Sequence, residues 1–484
     1  MNILIGETSS HALNKSLYIN GVWVAPAKAG EVSIMNPATE KCIGQMAVGS
    51  IADVGNAVRA ARTAFSAWSR ITVAERVAAL KRVHALIIER QELLAQAIST
   101  EMGAAITAAR NAQVPFAAEH IRVACDVASS YPFSKMEGST AITREPIGVC
   151  ALITPWNWPL YQITAKVAPA LAVGCTVILK PSELSPLSAH LFAQIIHDAA
   201  IPPGVFNLIQ GSGPEVGEAL AAHEDVDMIS ITGSNRAGAS VAKSAAASVK
   251  RVTQELGGKS PNVMLPDSDF AQAVPAGVMA ASRNVGQSCS VPTRMIVPRN
   301  RLSEVEEIAM KIANGIIVGD PRSDDTVLGP IANSAQFERV QSLIEAGLSD
   351  GAKLICGGRG KPEGLAEGFY VKPTVFSDVL ATMRIAQEEI FGPVLCLIPY
   401  DTVEEAVSIA NDTVYGLGAH VQGTDMVLAR KVAAGIRAGQ VHINYPAWDP
   451  HAPFGGYKRS GNGREYGVFG LEEYLETKAI IGYA

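Results

Sequence analysis

Between Val149 and Ile231 the chain repeats one pattern: a short, almost continuously apolar run, a polar or glycine-rich end, then helical periodicity. The runs are Val149-Cys150-Ala151-Leu152-Ile153, Thr176-Val177-Ile178-Leu179, Phe206-Asn207-Leu208-Ile209 and Met228-Ile229-Ser230-Ile231. Strands with no polar face are buried on both sides, which happens when helices cover a parallel sheet. The pattern therefore predicts an α/β fold with a doubly wound parallel sheet, whose ligands lie outside the carboxyl ends of the strands. A second α/β series follows Pro261, with Arg294-Met295-Ile296-Val297 and Val394-Leu395-Cys396-Leu397-Ile398 as strands. At 484 residues the chain exceeds one ordinary core, so two or three domains are expected.

The flanks read differently. Leu17-Tyr18-Ile19-Asn20-Gly21-Val22-Trp23-Val24 is a hairpin signature around Asn-Gly. Ile51 to Met102 is Ala-rich and helical, with Val77, Leu80, Val83 and Ile87 at helical spacing, and a second helical stretch runs from Ala104 to about Ser129. Ser139-Thr140-Ala141-Ile142-Thr143-Arg144-Glu145 is a polar, β-prone arm, and the strand-like Glu476-Thr477-Lys478-Ala479-Ile480-Ile481-Gly482-Tyr483 is its expected partner.

Composition excludes several classes. A net charge of −6 without a basic cluster gives no reason to expect nucleic acid. The apolar runs near Ile147–Ile153 and Val167–Leu179 are short and broken, and the N-terminus lacks a signal-peptide pattern, so no membrane partner and a cytoplasmic location are expected. The seven cysteines (42, 125, 150, 175, 289, 356 and 396) are scattered, with no Cys-x-x-Cys, which suggests neither a disulfide framework nor a zinc site. No metal-ligand cluster is visible among the nine histidines.

Cys289 stands out. It lies in Val285-Gly286-Gln287-Ser288-Cys289-Ser290-Val291-Pro292, and polar neighbours are unusual for a core cysteine. A reactive thiol wants a polar or electropositive site that supports the thiolate. Three loops at successive strand ends suit a dinucleotide. Gly211-Ser212-Gly213-Pro214-Glu215-Val216-Gly217 allows close backbone approach, and Thr232-Gly233-Ser234 offers a hydroxyl and amides to a pyrophosphate. Lys180-Pro181-Ser182-Glu183 can meet a ribose, where the carboxylate would repel a 2′-phosphate.

In order and spacing, Pro155-Trp156-Asn157, Lys180-Pro181-Ser182-Glu183, Thr232-Gly233-Ser234, Glu255-Leu256-Gly257-Gly258, the Cys289 run, Glu389-Ile390-Phe391-Gly392-Pro393 and Pro453-Phe454-Gly455-Gly456-Tyr457-Lys458 resemble the aldehyde dehydrogenase superfamily. The resemblance extends from the hairpin near Tyr18 to the C-terminus; Ile231 departs from the Phe that many members carry. It implies two doubly wound parallel-sheet domains plus a small β oligomerisation arm. Residues 1–127 and 147–257 would form the NAD-binding domain, 258–458 the catalytic domain, and 128–146 with 459–484 the arm and C-terminal segment.

By the same resemblance Cys289 is the nucleophile, Asn157 an oxyanion donor and Glu255 the base that activates water, giving a free acid in place of a coenzyme A thioester. Thr154, Pro155, Trp156, Lys180, Ser182, Glu183, Gly213, Gly217, Thr232, Gly233, Ser234, Leu256, Gly257, Glu389 and Phe391 would hold NAD, and Lys180 is compatible with NADP as well. Phe116, Trp158, Tyr161, Gln162, Ser288, Ser290 and Trp448 would line the substrate pocket, with space opened at Ala165. Lys166 reads first as a surface lysine and second as a residue that tunes local charge. An aromatic-walled pocket without Arg or Lys suits a benzaldehyde-type or bulky apolar aldehyde. Semialdehyde or aliphatic aldehyde dehydrogenases, and a retired structural homologue, are the alternatives. A homodimer or homotetramer is expected from the arm.

Overall fold

The computed structural model describes residues 15–484. The expected parallel sheet is present, with Val149–Ile153 at its centre. Thr176–Lys180 and then Phe206–Leu208 lie on one side of it, and Met228–Thr232 and then Arg251–Glu255 on the other; all five are parallel. The direction of winding thus reverses between Val149–Ile153 and Met228–Thr232, which opens a crevice beyond their carboxyl ends.

Antiparallel strands close the edges of this sheet. Leu17–Ile19 and Val22–Val24 pair as the Asn20-Gly21 hairpin, and Leu17–Ile19 joins the sheet against Phe206–Leu208. Asn20 and Gly21 take φ of 54° and 79°, the left-handed pair that a two-residue hairpin turn requires. Gly461–Asn462 pairs with Arg251–Glu255 at the other edge.

The second sheet has seven strands. Pro261–Met264 and Arg294–Pro298 lie at its centre, flanked by Val394–Tyr400 and Thr374–Ser377 on one side and by Gly418–Gln422 and Gln440–Ile443 on the other. These six are parallel, and Lys353–Cys356 adds an antiparallel edge. Every residue of Val394–Tyr400 is buried, as a strand covered on both faces must be.

A third, three-stranded sheet pairs Thr140–Pro146 with Leu475–Ile480 and Ser134–Glu137, in the register Ala141 to Ile480 and Pro146 to Leu475. It joins the polar arm to the C-terminal strand, and most of its residues are exposed.

The helical stretch from Ile51 resolves into three helices, Ile51–Trp68, Val73–Glu89 and Gln91–Met102. The first break is a capping box: Glu75 N–H donates to Thr72 Oγ1 at 3.2 Å, and the Glu75 carboxylate accepts from Thr72 N–H at 2.7 Å. The small antiparallel pair Glu31–Asn36 and Lys41–Ala47 carried no clear alternation and was not expected. Among the described residues no helix is long and apolar enough to cross a membrane, and no group of three metal-binding side chains occurs.

Candidate active site

The crevice at the winding reversal is a cavity of about 480 Å³. Pro155, Trp156 and Asn157 enter it from the end of Val149–Ile153, Thr232, Gly233 and Ser234 from Met228–Thr232, and Glu255, Leu256 and Gly257 from Arg251–Glu255. Glu389 and Phe391 reach it from the second sheet's side, and Trp156 meets the Phe391 ring edge-on at 5.4 Å. Thr232 Oγ1 is buried there without a hydrogen-bond partner, as a group awaiting a polar ligand would be.

Two glycines make the close approaches. A Cβ at Gly257 would lie 2.3 Å from Glu389 Oε2, and one at Gly258 would lie 2.3 Å from the Cys289 carbonyl oxygen. Gly258 N–H donates to Glu389 Oε1 at 3.0 Å.

The cysteine loop is built under strain. After the helix Phe270–Ser282, Asn284, Val285 and Gly286 take φ of 53°, 61° and 70° in succession. Each non-glycine in that region costs about 1–3 kcal/mol. Amide hydrogen bonds offset the cost. Asn284 Nδ2 donates to the Asn157 carbonyl at 2.7 Å, and Asn157 Nδ2 donates to the Gln287 carbonyl at 2.9 Å. These bonds tie the Asn157 loop to the Cys289 loop and spend only one of Asn157's two side-chain N–H groups.

Of the seven cysteines, all free, Cys289 is half-buried, Cys42 is exposed and five are buried. The charges around Cys289 run opposite to the electropositive expectation. Burial pushes its thiol well up, and the Glu389, Glu255 and Glu465 carboxylates push it further. These influences disfavour the thiolate, so attack through the sulfur calls for a base to take its proton. Glu255 is almost completely buried, and neither of its carboxyl oxygens has a hydrogen-bond partner. Burial and then Glu465 raise its affinity for protons, while Lys166 and Arg464 oppose them.

Lys166 is no surface residue. It sits on the helix Pro159–Val173, in which every residue but Tyr161 is buried, and its Nζ donates to Ser230 Oγ at 3.1 Å and pairs with Glu465. At the end of the strand Thr176–Lys180, Lys180 and Glu183 lie together, 3.5 Å apart, with Gly217 against the Lys180 stem. These two, with Ser182, Gly213 and Gly217, stand outside the lining of the 480 Å³ cavity, as does Thr154, whose Oγ1 is buried and unpartnered.

A second cavity, of about 320 Å³, contains all seven residues expected in the substrate pocket: Phe116, Trp158, Tyr161, Gln162, Ser288, Ser290 and Trp448. Phe116 and Trp448 rings lie 4.5 Å apart, and Trp158 Nε1 donates to Ser288 Oγ at 2.6 Å. Cys289 lines both cavities and is the one residue they share.

Two expectations about this pocket fail. Ala165 does not line it, because Ala165 packs into an apolar cluster with Leu417, Phe454 and Tyr466 that takes up the room. The pocket does contain a cation. Arg283 lines it, with its guanidinium carbon 5.1 Å from the Trp158 ring centre and 5.5 Å from that of Phe116. Six residues before Cys289, it could have been picked out by proximity in sequence alone. Gln336 and Arg339, which line the larger cavity, come from the helix Ser334–Ser349 and carry no local motif. Gln336 Nε2 donates to the Ile390 and Phe391 carbonyls, at 2.9 and 3.0 Å, and so clamps the Glu389 loop.

The family model for the aldehyde dehydrogenase family matches residues 23–480. An aldehyde dehydrogenase C mutant from Pseudomonas syringae, solved with NAD+ and octanal, is 69% identical, covers 98% of this chain and 97% of its own, and superposes with a TM-score of 0.97. A 3-succinoylsemialdehyde-pyridine dehydrogenase from a Pseudomonas species is 51% identical over 97% of this chain and 98% of its own. Betaine aldehyde dehydrogenase from Staphylococcus aureus, solved with NAD+, is 34% identical, covers 96% of this chain and 94% of its own, and has a TM-score of 0.94.

Proposed function

The chain belongs to the aldehyde dehydrogenase family, and from that premise we propose that it oxidises a bulky apolar aldehyde to the carboxylic acid with NAD+. The observation that carries this reading is the position of Cys289 as the single residue common to two cavities. A nucleophile there meets an aldehyde arriving through one and a dinucleotide lying in the other.

The dinucleotide fits the larger cavity. Its strand-end position, the unpartnered Thr232 hydroxyl, the Ser234 helix start and the Glu389 carboxylate supply what a pyrophosphate and ribose hydroxyls need. When bound, the oxidised nicotinamide supplies a hydride acceptor. Lys180 and Glu183 extend the site toward the adenosine ribose, with Glu183 favouring NAD over NADP.

Cys289 gives up its proton as its sulfur bonds to the aldehyde carbon, and Glu255, unpartnered and proton-avid, is the base that receives it. The free N–H of the Asn157 side chain and the Cys289 backbone N–H stabilise the resulting alkoxide. Loss of hydride leaves a thioester on Cys289. Glu255 passes that first proton to solvent, takes another from the water that attacks the thioester and returns it to the departing sulfur, so the acid leaves as the thiol is restored. The balance is aldehyde, water and NAD+ to acid, NADH and a proton.

The lining rings support an aromatic or long aliphatic tail, and the octanal bound in the Pseudomonas syringae relative agrees with the second. Arg283 favours one further reading, an aldehyde with a carboxylate at its far end. The exposed arm sheet, with Met136, Ile480 and Ile481 on its surface, supports a homodimer or homotetramer. Turnover of octanal or benzaldehyde, followed by NADH absorbance beside Cys289→Ala, tests the reading. Cys289-dependent NADH formation is expected; silence with every aldehyde refutes it.

A further inference from the structure

Part of the 320 Å³ cavity wall comes from the seven-stranded sheet, and it is made of imidazoles. His420 and His442 occupy paired positions on the neighbouring parallel strands Gly418–Gln422 and Gln440–Ile443, so their side chains leave the same face of the sheet. Their ring centres lie 4.8 Å apart with planes inclined by 20°, and the Tyr445 ring lies 5.5 Å from His420. All three line the cavity that holds Cys289, and the chemistry at Cys289 uses none of them.

Part of the hydrogen-bonding capacity of this wall is unspent. Burial holds both imidazoles neutral, pushing His420 down to about 3. A neutral imidazole carries one donor and one acceptor nitrogen. His420 Nδ1 is buried and has no partner. The Tyr445 hydroxyl accepts from Asn262 Nδ2 at 2.6 Å, which leaves its own proton to donate. Asn262 is in turn held by Gln422 Nε2, which donates to its Oδ1 at 3.0 Å. Tyr445 and the preceding Asn444 both take left-handed backbone, with φ of 46° and 55°, so the ring is set in place at a conformational cost. A wall meant only for hydrocarbon would be cheaper in leucine or phenylalanine, since an unsatisfied buried polar group is destabilising. A ligand that supplies the missing partner removes that penalty.

We propose that His420, His442 and Tyr445 form a hydrogen-bonding subsite for the tail of the substrate, selecting aldehydes whose tail carries a neutral acceptor, a ring nitrogen or ketone oxygen, over hydrocarbons of the same shape. The inference rests on reading this cavity as the aldehyde site. It narrows the otherwise apolar tail of that reading to one that carries a single neutral acceptor.

A matched pair of aldehydes tests it: 3-(pyridin-3-yl)propanal and 3-phenylpropanal have the same length, and two methylenes insulate the carbonyl from the ring. The measurement is the ratio of their kcat/KM values with NAD+, in the full-length protein and in His442→Phe, His420→Leu and Tyr445→Phe. A ratio taken within one protein cancels any general loss of activity or folding yield. The wild-type enzyme is expected to favour the pyridyl aldehyde by about five- to tenfold, the size of one net hydrogen bond. The preference should shrink toward unity in the variants. A wild-type ratio near one, or a preference that survives all three substitutions, overturns the subsite while leaving aldehyde oxidation intact. Failure to oxidise these two aldehydes and octanal alike overturns the aldehyde reading and the subsite with it.

Discussion

Replacing Lys166 by Met would remove the only cation that pairs with Glu465 among the described residues, from a site with no access to water. Methionine keeps the stem's apolar packing, so the loss is electrostatic. Breaking one side of a buried ion pair costs about 3–5 kcal/mol, because the remaining charge is uncompensated. For a cooperative unit of domain size that corresponds to a fall in Tm on the order of 10 °C. The second effect is on Glu255. Lys166 is the largest influence holding its proton affinity down, against burial and Glu465, which hold it up. Without Lys166 the Glu255 carboxyl ionises at still higher pH, so the acidic limb of the turnover profile moves to the alkaline side. Scanning calorimetry and kcat measured across the pH range read the two effects separately. The double substitution Lys166→Met with Glu465→Gln removes both charges and should recover most of the lost stability. A single variant with unchanged Tm and an unchanged acidic limb would refute the account of Lys166 as the compensating charge.

Burial raises Glu389 to about 7, so it is protonated below neutrality and accepts hydroxyl donors best when ionised. NAD+ affinity, measured by calorimetry, should therefore strengthen from about pH 6 to about pH 8 in the wild type and stay level in Glu389→Gln. In Gly258→Ala the new methyl would meet the Cys289 carbonyl oxygen at 2.3 Å and displace the nucleophile. A loss in kcat of about 100-fold is expected with the circular dichroism spectrum retained, and activity near wild type would contradict the close approach. Arg283→Met should lower kcat/KM for succinate semialdehyde by about tenfold or more, the value of one charge-assisted contact, and affect octanal much less. Equal losses for both would assign Arg283 to packing on Phe116 and Trp158.

The winding of the first sheet and the strand ends that frame its crevice were legible in the sequence, because strands buried on both faces leave uninterrupted apolar runs such as Val149–Ile153. Cys289 was legible as a candidate from its polar neighbours, whereas Glu255 and Asn157 became candidates through the family resemblance of the motifs that hold them. The break at Thr72 was not read from the sequence, although the Thr-x-x-Glu spacing of its capping box is there.

Charge at the site was decided by the tertiary structure. Polar neighbours of Cys289 in sequence suggested a site that supports a thiolate, yet burial and then the Glu389, Glu255 and Glu465 carboxylates disfavour one. Lys166 looked solvated and is fully buried, because its helix is covered by the rest of the fold at that position, and its charge is met by an ion pair with a residue 299 positions away. The pocket was likewise assembled across the chain, with Arg283, His420, His442 and Tyr445 joining rings from a different part of the fold. Periodicity records which faces are buried. What a buried side chain meets there depends on packing between elements distant in sequence, and that packing sets charge, proton affinity and the shape of the site.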